Sequence, residues 1–314
     1  MSKKILLQKA TRIEGNANIH IEVENGGIKA ARFLVEDFRG FERFTRGRRV
    51  EFVPHIVSRI CGLCSAAHQV ASLKAIEEAL GVDVSASVGN LREIIVLGEW
   101  ISSHALSYFF LTMPDFVGAT GGVFELIDTH PEITREAFAL RKAGHRIVEL
   151  LGKRAAHPVA MGIGRFLISP RAAELKEVRG IALDVKKRTL RLISQTNATQ
   201  LRQNSLILPP DQEVLFLVYD GRLGQDVFRA YTRDERVVAT FTRDEFEDNV
   251  SEMRAEWTFA KFPYLTRFGF PAGIVLVGPL SRSYQEGGFL DNSGLADLEL
   301  ANGLRERASI GLES

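Results

Sequence analysis

Two thiols and an imidazole stand close together in Arg59-Ile60-Cys61-Gly62-Leu63-Cys64-Ser65-Ala66-Ala67-His68, which holds both cysteines of this 314-residue chain. Cys61 and Cys64 are three residues apart and His68 is four beyond Cys64, so a helical segment would turn all three to one face. The Cys-x-x-Cys spacing by itself serves structural zinc sites, redox disulfides and clusters alike. A closed zinc site takes four ligands, and an iron-sulfur cluster usually takes four thiolates. The chain has no third cysteine and no His-x3-His pair, so the motif reads as half of a site. A thioredoxin-like dithiol would follow a strand in a βαβ unit, whereas Gln69 to Leu80, downstream of the pair, reads as helix.

The elements that must position these groups are mostly helical. Glu51 to Arg59 has the pattern of a short helix, and Cys64 to Leu80 of a longer one closed by Gly81. The motif then lies at a helix start, where amide dipoles favour thiolate. Leu91, Ile94, Ile95, Trp100, Ile101, Leu106, Phe109 and Phe110 predict a central helix buried on more than one side and ended by Pro114. His104 falls on or near its buried face, as a hydrogen-bonded core histidine. Pro131 to Leu151 and Pro170 to Asn197 predict two more long helices, joined by a flexible connector that holds His157-Pro158, Gly162 and Gly164.

Alternation of Ile19, Ile21 and Val23 with His20, Glu22 and Glu24, followed by Asn25-Gly26-Gly27, predicts a hairpin returning through Phe33 to Val35. Glu42 then sits just past a sheet edge. Val214 to Tyr219, Arg236 to Phe241 and Ile274 to Val277 are strand candidates, and Phe246 to Trp257 reads as helix. The expected fold is α+β, a long-helix core with small flanking β-sheets. Residues 1–282 read as a single domain, and residues 283–314, rich in Gly, Ser, Asp and Glu, as a loosely held tail.

Composition narrows the setting. With 45% hydrophobic and 25% charged residues the chain has the make-up of a globular protein. Its 40 basic and 39 acidic residues leave no global field to attract nucleic acid or an anionic membrane. Arg46 to Arg49 is a local basic cluster, suited to a solvated loop or to an acidic partner surface. Two cysteines so close together argue against a disulfide scaffold and fit a reducing compartment, the cytoplasm. Met1 to Lys9 lacks the hydrophobic core of a secretory signal. Trp100 to Pro114 is too short and too polar to span a bilayer.

The pattern Arg-x-Cys-Gly-x-Cys-x-x-x-His resembles the N-terminal metal-binding motif of the large subunit of nickel-iron hydrogenases. Thr11-Arg12-Ile13-Glu14-Gly15 resembles that family's opening motif, and Phe38-Arg39-Gly40-Phe41-Glu42 its second. Val277-Gly278-Pro279-Leu280-Ser281-Arg282 resembles a later landmark, all in matching order and spacing. Ser103-His104-Ala105-Leu106 and Lys261-Phe262-Pro263-Tyr264 are similar to the cytosolic group that includes the viologen-reducing hydrogenases of methanogens. The similarity runs from Lys4 to about Arg282. Two departures stand out. The family's large subunits normally end with Asp-Pro-Cys-x-x-Cys-x-x-His, and nothing of that kind follows Arg282; Asn16 also stands where the family usually has His.

The resemblance implies roles. Cys61 would be a terminal thiolate ligand of nickel, and Cys64 would bridge nickel to an iron carrying carbon monoxide and cyanide. His68 would donate a hydrogen bond towards the bridging sulfur. Glu14 matches the glutamate that passes outward the proton released by dihydrogen cleavage, a role suited to a buried carboxyl with a raised pKa; the alternative is a salt bridge to Arg12. Glu42 matches a magnesium ligand, the alternative being a surface ion pair with Arg39 or Arg43. Arg59 and Arg282 are implied to be supporting residues.

The implied function is the N-terminal portion of a large subunit. The second Cys-x-x-Cys motif would come from another polypeptide, and an iron-sulfur small subunit would hold the only clusters, within an electron-transfer complex of unspecified size. Two alternatives stand beside this reading. One is a catalytically inactive assembly or electron-transfer-complex subunit that keeps the fold; the other is a quinone-linked relative of respiratory complex I, a group that has generally lost these cysteines.

Overall fold

Alternating side chains at the N-terminus form three antiparallel strands, β1 (Ser2–Leu7), β2 (Ala17–Glu24) and β3 (Gly27–Val35), adjacent in that order. The structure is a computed structural model and describes residues 2–37, 40–195, 214–220, 226–278 and 281. The expected hairpin is β2–β3, turned at Asn25-Gly26 with φ of 52° and 81°, the left-handed pair that matches strand twist. The turn carrying Glu14 leads from β1 into β2 and is tied to the residues just after β3. Asp37 takes the Asn16 amide at 2.6 Å and its side-chain nitrogen at 2.9 Å, and the Glu36 amide donates to the Asn16 carbonyl at 2.8 Å. Asn16 thus has a structural partner of its own. Two compact units emerge, residues 40–196 and residues 1–39 with 197–314, where the sequence reads one domain over 1–282. The tail from 283 onward lies outside the described residues.

The unit of residues 40–196 is helical. Short α1 (Glu42–Thr45) and α2 (Val53–Val57) precede α3 (Ser65–Leu80) and α4 (Ala86–Ala105). The helical path continues as π-helix over Leu106–Thr112 and as α5 (Met113–Phe116). Then come α6 (Val123–Thr129), α7 (Pro131–Gly152), the two-residue strands β4 (Met161–Gly162) and β5 (Arg165–Phe166), and α8 (Ala172–Gln195). Gly81, at φ 63°, closes α3 as expected. Pro114 does not end the central helix. It sits in the first turn of α5, after widened π turns that absorb a ring and a missing amide which a regular α-turn would not.

By length and composition Ala86–Asp115 could cross a membrane, so this helical stretch is longer than the Trp100 to Pro114 run. Its inward stripe nevertheless buries Arg92, Glu99 and Ser102 with Ile95, Gly98 and Ala105, the pattern of a core helix. His104 lies off that stripe and is exposed, not a core histidine. Helices α4 and α7 cross with their backbones touching. A Cβ on Gly144 would stand 2.4 Å from the Gly98 carbonyl oxygen and 2.6 Å from the Ser102 amide nitrogen. Around this crossing Leu73, Ile95, Ile147, Val148, Leu151 and Met161 form one buried cluster, each aliphatic side chain contributing about 1.5–3 kcal/mol by burial.

An ion pair fastens the β4–β5 hairpin to that core. Arg92 donates to Glu77 at 2.8 and 2.5 Å and to the Gly162 carbonyl at 2.8 Å, while the Gly164 amide donates to Glu77 at 2.6 Å. The two side chains are only 3% and 4% exposed. Burial works to raise the Glu77 pKa, but the Arg92 guanidinium and the Gly164 amide together hold the carboxyl below its ordinary value.

In the other unit, β6 (Leu215–Asp220), β7 (Val227–Tyr231), β8 (Val237–Thr242) and β11 (Val275–Leu276) form a sheet ordered β11-β6-β7-β8, with β11 parallel to β6. The expected helix from Phe246 to Trp257 is only one turn, α9 (Phe246–Asn249), followed by strand β9 (Val250–Arg254). Phe246, Val250, Met253 and Trp257 mimic a helical period. Pairing with β10 (Lys261–Leu265), from Lys261↔Arg254 to Leu265↔Val250, decides the outcome.

Candidate metal centre

The cysteines come from a turn and not from a helix face. Helix α3 begins at Ser65, and Cys64 occupies the capping position before it with φ −116° and ψ 31°. The Cys64 amide donates to the Cys61 sulfur at 3.4 Å, which folds the two thiols back on each other. Both are free and half-buried. His68 lies one turn into α3, half-buried, with its amide on the Cys64 carbonyl at 3.2 Å. The expected single helical face is therefore replaced by a turn leading into a helix.

The group that organises the start of α3 is Glu99, which the sequence reading missed. From α4 its carboxylate accepts the Ala66 amide at 2.7 Å, the Ala67 amide at 3.0 Å and the Ser65 hydroxyl at 3.5 Å. The two amides are N–H groups that the first turn of a helix leaves unsatisfied. Glu99 is only 7% exposed, and burial raises its pKa despite the three donors. The only trace in the sequence is a lone carboxylate in the apolar run from Ile94 to Phe110.

Thiolate is not favoured at Cys64, contrary to the dipole expectation. Burial first, then Cys61 and the Glu99 charge, push its thiol up to about 12. A metal taken up at Cys64 would displace a proton.

The connector after α7 is ordered around the same turn. The His157 ring donates through Nδ1 to the Ser58 carbonyl at 2.8 Å, and the His157 amide donates to the Ser65 hydroxyl at 2.9 Å. This replaces the flexible connector read from the sequence.

The remaining site candidates lie apart from these groups in the chain. Glu14 sits on an exposed turn of the unit containing residues 1–39, so the burial expected of it is not found; the turn is bonded through Asn16 to Asp37 and leaves the carboxyl in solvent. Glu42 opens α1 and is also exposed. Phe38, Arg39, Pro279, Leu280 and Arg282 lie outside the described residues. Among the described residues no group of three or more His, Cys, Asp or Glu side chains could hold a metal ion. Two soft thiols on one turn fit half of the donor set of a soft-metal centre.

Residues 39–162 match the family described as nickel-dependent hydrogenase. The chain is 35% identical over 290 residues to a vhu subunit of the F420-non-reducing hydrogenase of Methanocaldococcus jannaschii, covering 88% of this chain and 69% of that protein. It is 33% identical to the alpha chain of sulfhydrogenase 2 of Pyrococcus furiosus, covering 94% of this chain and 66% of that one. Its fold matches the crystal structure of an NAD+-reducing nickel-iron hydrogenase with a TM-score of 0.79 and 25% identity, over 89% of this chain and 65% of the other. The chain thus spans about two thirds of the length of each of these relatives.

Proposed function

The chain belongs to the nickel-dependent hydrogenase family, corresponding to an N-terminal portion of its large subunit, and on that premise we propose that Cys61 and Cys64 supply half of the thiolates of a nickel-iron centre for reversible dihydrogen oxidation. The observation that carries this reading is the Cys61–Cys64 turn, two free thiols folded together at the capped start of α3. When bound, such a centre supplies heterolytic splitting of dihydrogen, its iron carrying carbon monoxide and cyanide. Cys61 and Cys64 would hold such a centre, Cys61 as a thiolate for nickel and Cys64 as one shared with iron, soft donors for soft metals. His68, half-buried on the first turn of α3, tunes the Cys64 sulfur by a hydrogen bond.

Glu14 carries the released proton outward, the part that its match to the family's opening motif implies. Glu42 serves a magnesium ion, a hard oxygen ligand for a hard cation. The other two thiolates come from a second Cys-x-x-Cys motif, on a further segment or on another polypeptide. Electrons leave through an iron-sulfur small subunit, which alone holds clusters, within a cytoplasmic electron-transfer complex. Both of the compared sequence relatives are named as components of larger enzymes, which supports a multi-subunit setting.

Exchange between deuterium gas and water, measured on the complex purified with its partners, tests this reading. Cys61→Ser and Cys64→Ser are expected to abolish exchange. Glu14→Gln is expected to slow it while leaving the metal spectra unchanged. Exchange at the wild-type rate in either cysteine variant contradicts the ligand assignment, and a complex assembled with wild-type cysteines but no metal favours an assembly role.

A further inference from the structure

We propose that His157 is a positioning residue for the cysteine pair, clamping the chain on both sides of the Cys61–Cys64 turn; the proposal rests on the metal-centre reading above. Its ring Nδ1 holds the Ser58 carbonyl, upstream of Cys61, at 2.8 Å, and its main-chain amide holds the Ser65 hydroxyl, directly after Cys64, at 2.9 Å. One residue from a distant loop therefore fixes the two ends of the turn relative to each other. A carbonyl oxygen only accepts, so Nδ1 carries the proton and Nε2 is the acceptor nitrogen of the neutral ring. Ser58 and Ser65 are 2% and 1% exposed, so neither acceptor has bulk water to replace the histidine. Through the Ser65 hydroxyl the clamp reaches Glu99, which caps the same helix.

The loop keeps His157 in place at some cost. Its φ is 52°, a conformation uncommon for a residue other than glycine. The frame around it accounts for its persistence. The Val159 and Ala160 amides donate to the Gly152 carbonyl at 2.9 and 3.2 Å. Pro158 packs so closely that a Cβ on Gly152 would lie 2.8 Å from it. Lys153 bonds to Glu174 and to the Leu150 carbonyl, both at 2.8 Å. A strained residue set in a fixed frame, with both donors spent on the flanks of one turn, is a device for holding that turn. Two thiols grip one ion only when their separation is set, and partners beyond the ligands typically change metal affinity by about 10–100-fold.

The test titrates nickel(II) alone into the full chain and reads thiolate-to-nickel charge-transfer absorption in the wild type, His157→Asn, His157→Gln and His157→Leu. Asparagine offers an N–H at the δ position and tolerates positive φ, whereas glutamine offers it one bond further out. Asparagine is expected to bind near the wild-type level, and leucine and glutamine about 10-fold or more weakly. Wild-type affinity in His157→Leu overturns the clamp. Wild-type affinity in His157→Gln with weak binding in His157→Asn also overturns it, by assigning the role to Nε2. No charge-transfer band in the wild type means that two thiolates do not hold nickel without the other half of the donor set. The clamp is then judged by the rate at which diamide cross-links Cys61 to Cys64: a rate shared by wild type and His157→Asn but altered in His157→Leu and His157→Gln supports it, and one rate in all four overturns it.

Discussion

The Glu99 carboxylate accepts the main-chain amide of Ala66 at 2.7 Å, so a side chain from α4 closes the N-terminus of α3 two residues beyond Cys64. Glu99→Gln keeps one acceptor and loses the second, with the charge. The variant is expected to lose about 1–3 kcal/mol of stability, read by urea unfolding. Because Glu99 helps to push the Cys64 thiol up, the variant should also lower that thiol's pKa, followed by thiolate absorbance. A Cys64 pKa that stays or rises contradicts this account of the turn.

The Arg92–Glu77 pair makes a second prediction. Arg92→Met leaves Glu77 buried without its cation, at a cost of about 3–5 kcal/mol. Replacing both residues with apolar side chains of similar volume should recover much of that loss, because two desolvated charges give little net gain. Equal destabilisation of the single and double variants would show that the hairpin contacts at Gly162 and Gly164 matter more than the charges.

Gly144→Ala forces a methyl group against the Gly98 carbonyl and the Ser102 amide at the crossing of α4 and α7. Both obstacles are backbone, so the helices must separate, at a cost of about 1–3 kcal/mol. A thermal midpoint equal to wild type would mean that the crossing is looser than described.

The acid limb of stability follows from Glu174. Lys153 first, then the Arg171 amide and side chain, hold its pKa at about 2 against an ordinary 4.5. A depressed carboxylate contributes stability above its unfolded value and loses it as pH falls through the folded one. Stability should therefore decline from pH 4.5 towards 2, with Glu77 adding in the same direction. Glu99 acts oppositely, since its raised pKa favours the fold at low pH and loses that contribution as pH rises through the folded value. Glu174→Gln should flatten the decline in midpoint-against-pH curves; an unchanged slope would remove Glu174 as its source.

Much of this was legible from local pattern. Asn25-Gly26 announced the β2–β3 turn, Pro131 the start of α7 and Gly81 the end of α3. The Cys-x-x-Cys spacing announced the thiols and their shortage of partners. What escaped were relationships between residues far apart in sequence. Nothing local marks Glu99 as the cap of a helix that begins 34 residues earlier, or His157 as a partner of Ser58 and Ser65. Strand β9 escaped because its apolar residues fall at helical spacing while its fate is set by β10. The exposure of Glu14 escaped because the turn is stitched at its edge, through Asn16 and Asp37, and so needs no buried carboxyl.

The central claim, that Cys61 and Cys64 are nickel ligands, is tested most directly by the nickel content of the complex purified with its partners. Wild type should retain nickel, and Cys61→Ser and Cys64→Ser should retain none, because a hydroxyl does not replace a thiolate at a soft site. Full nickel content in either variant would contradict the claim.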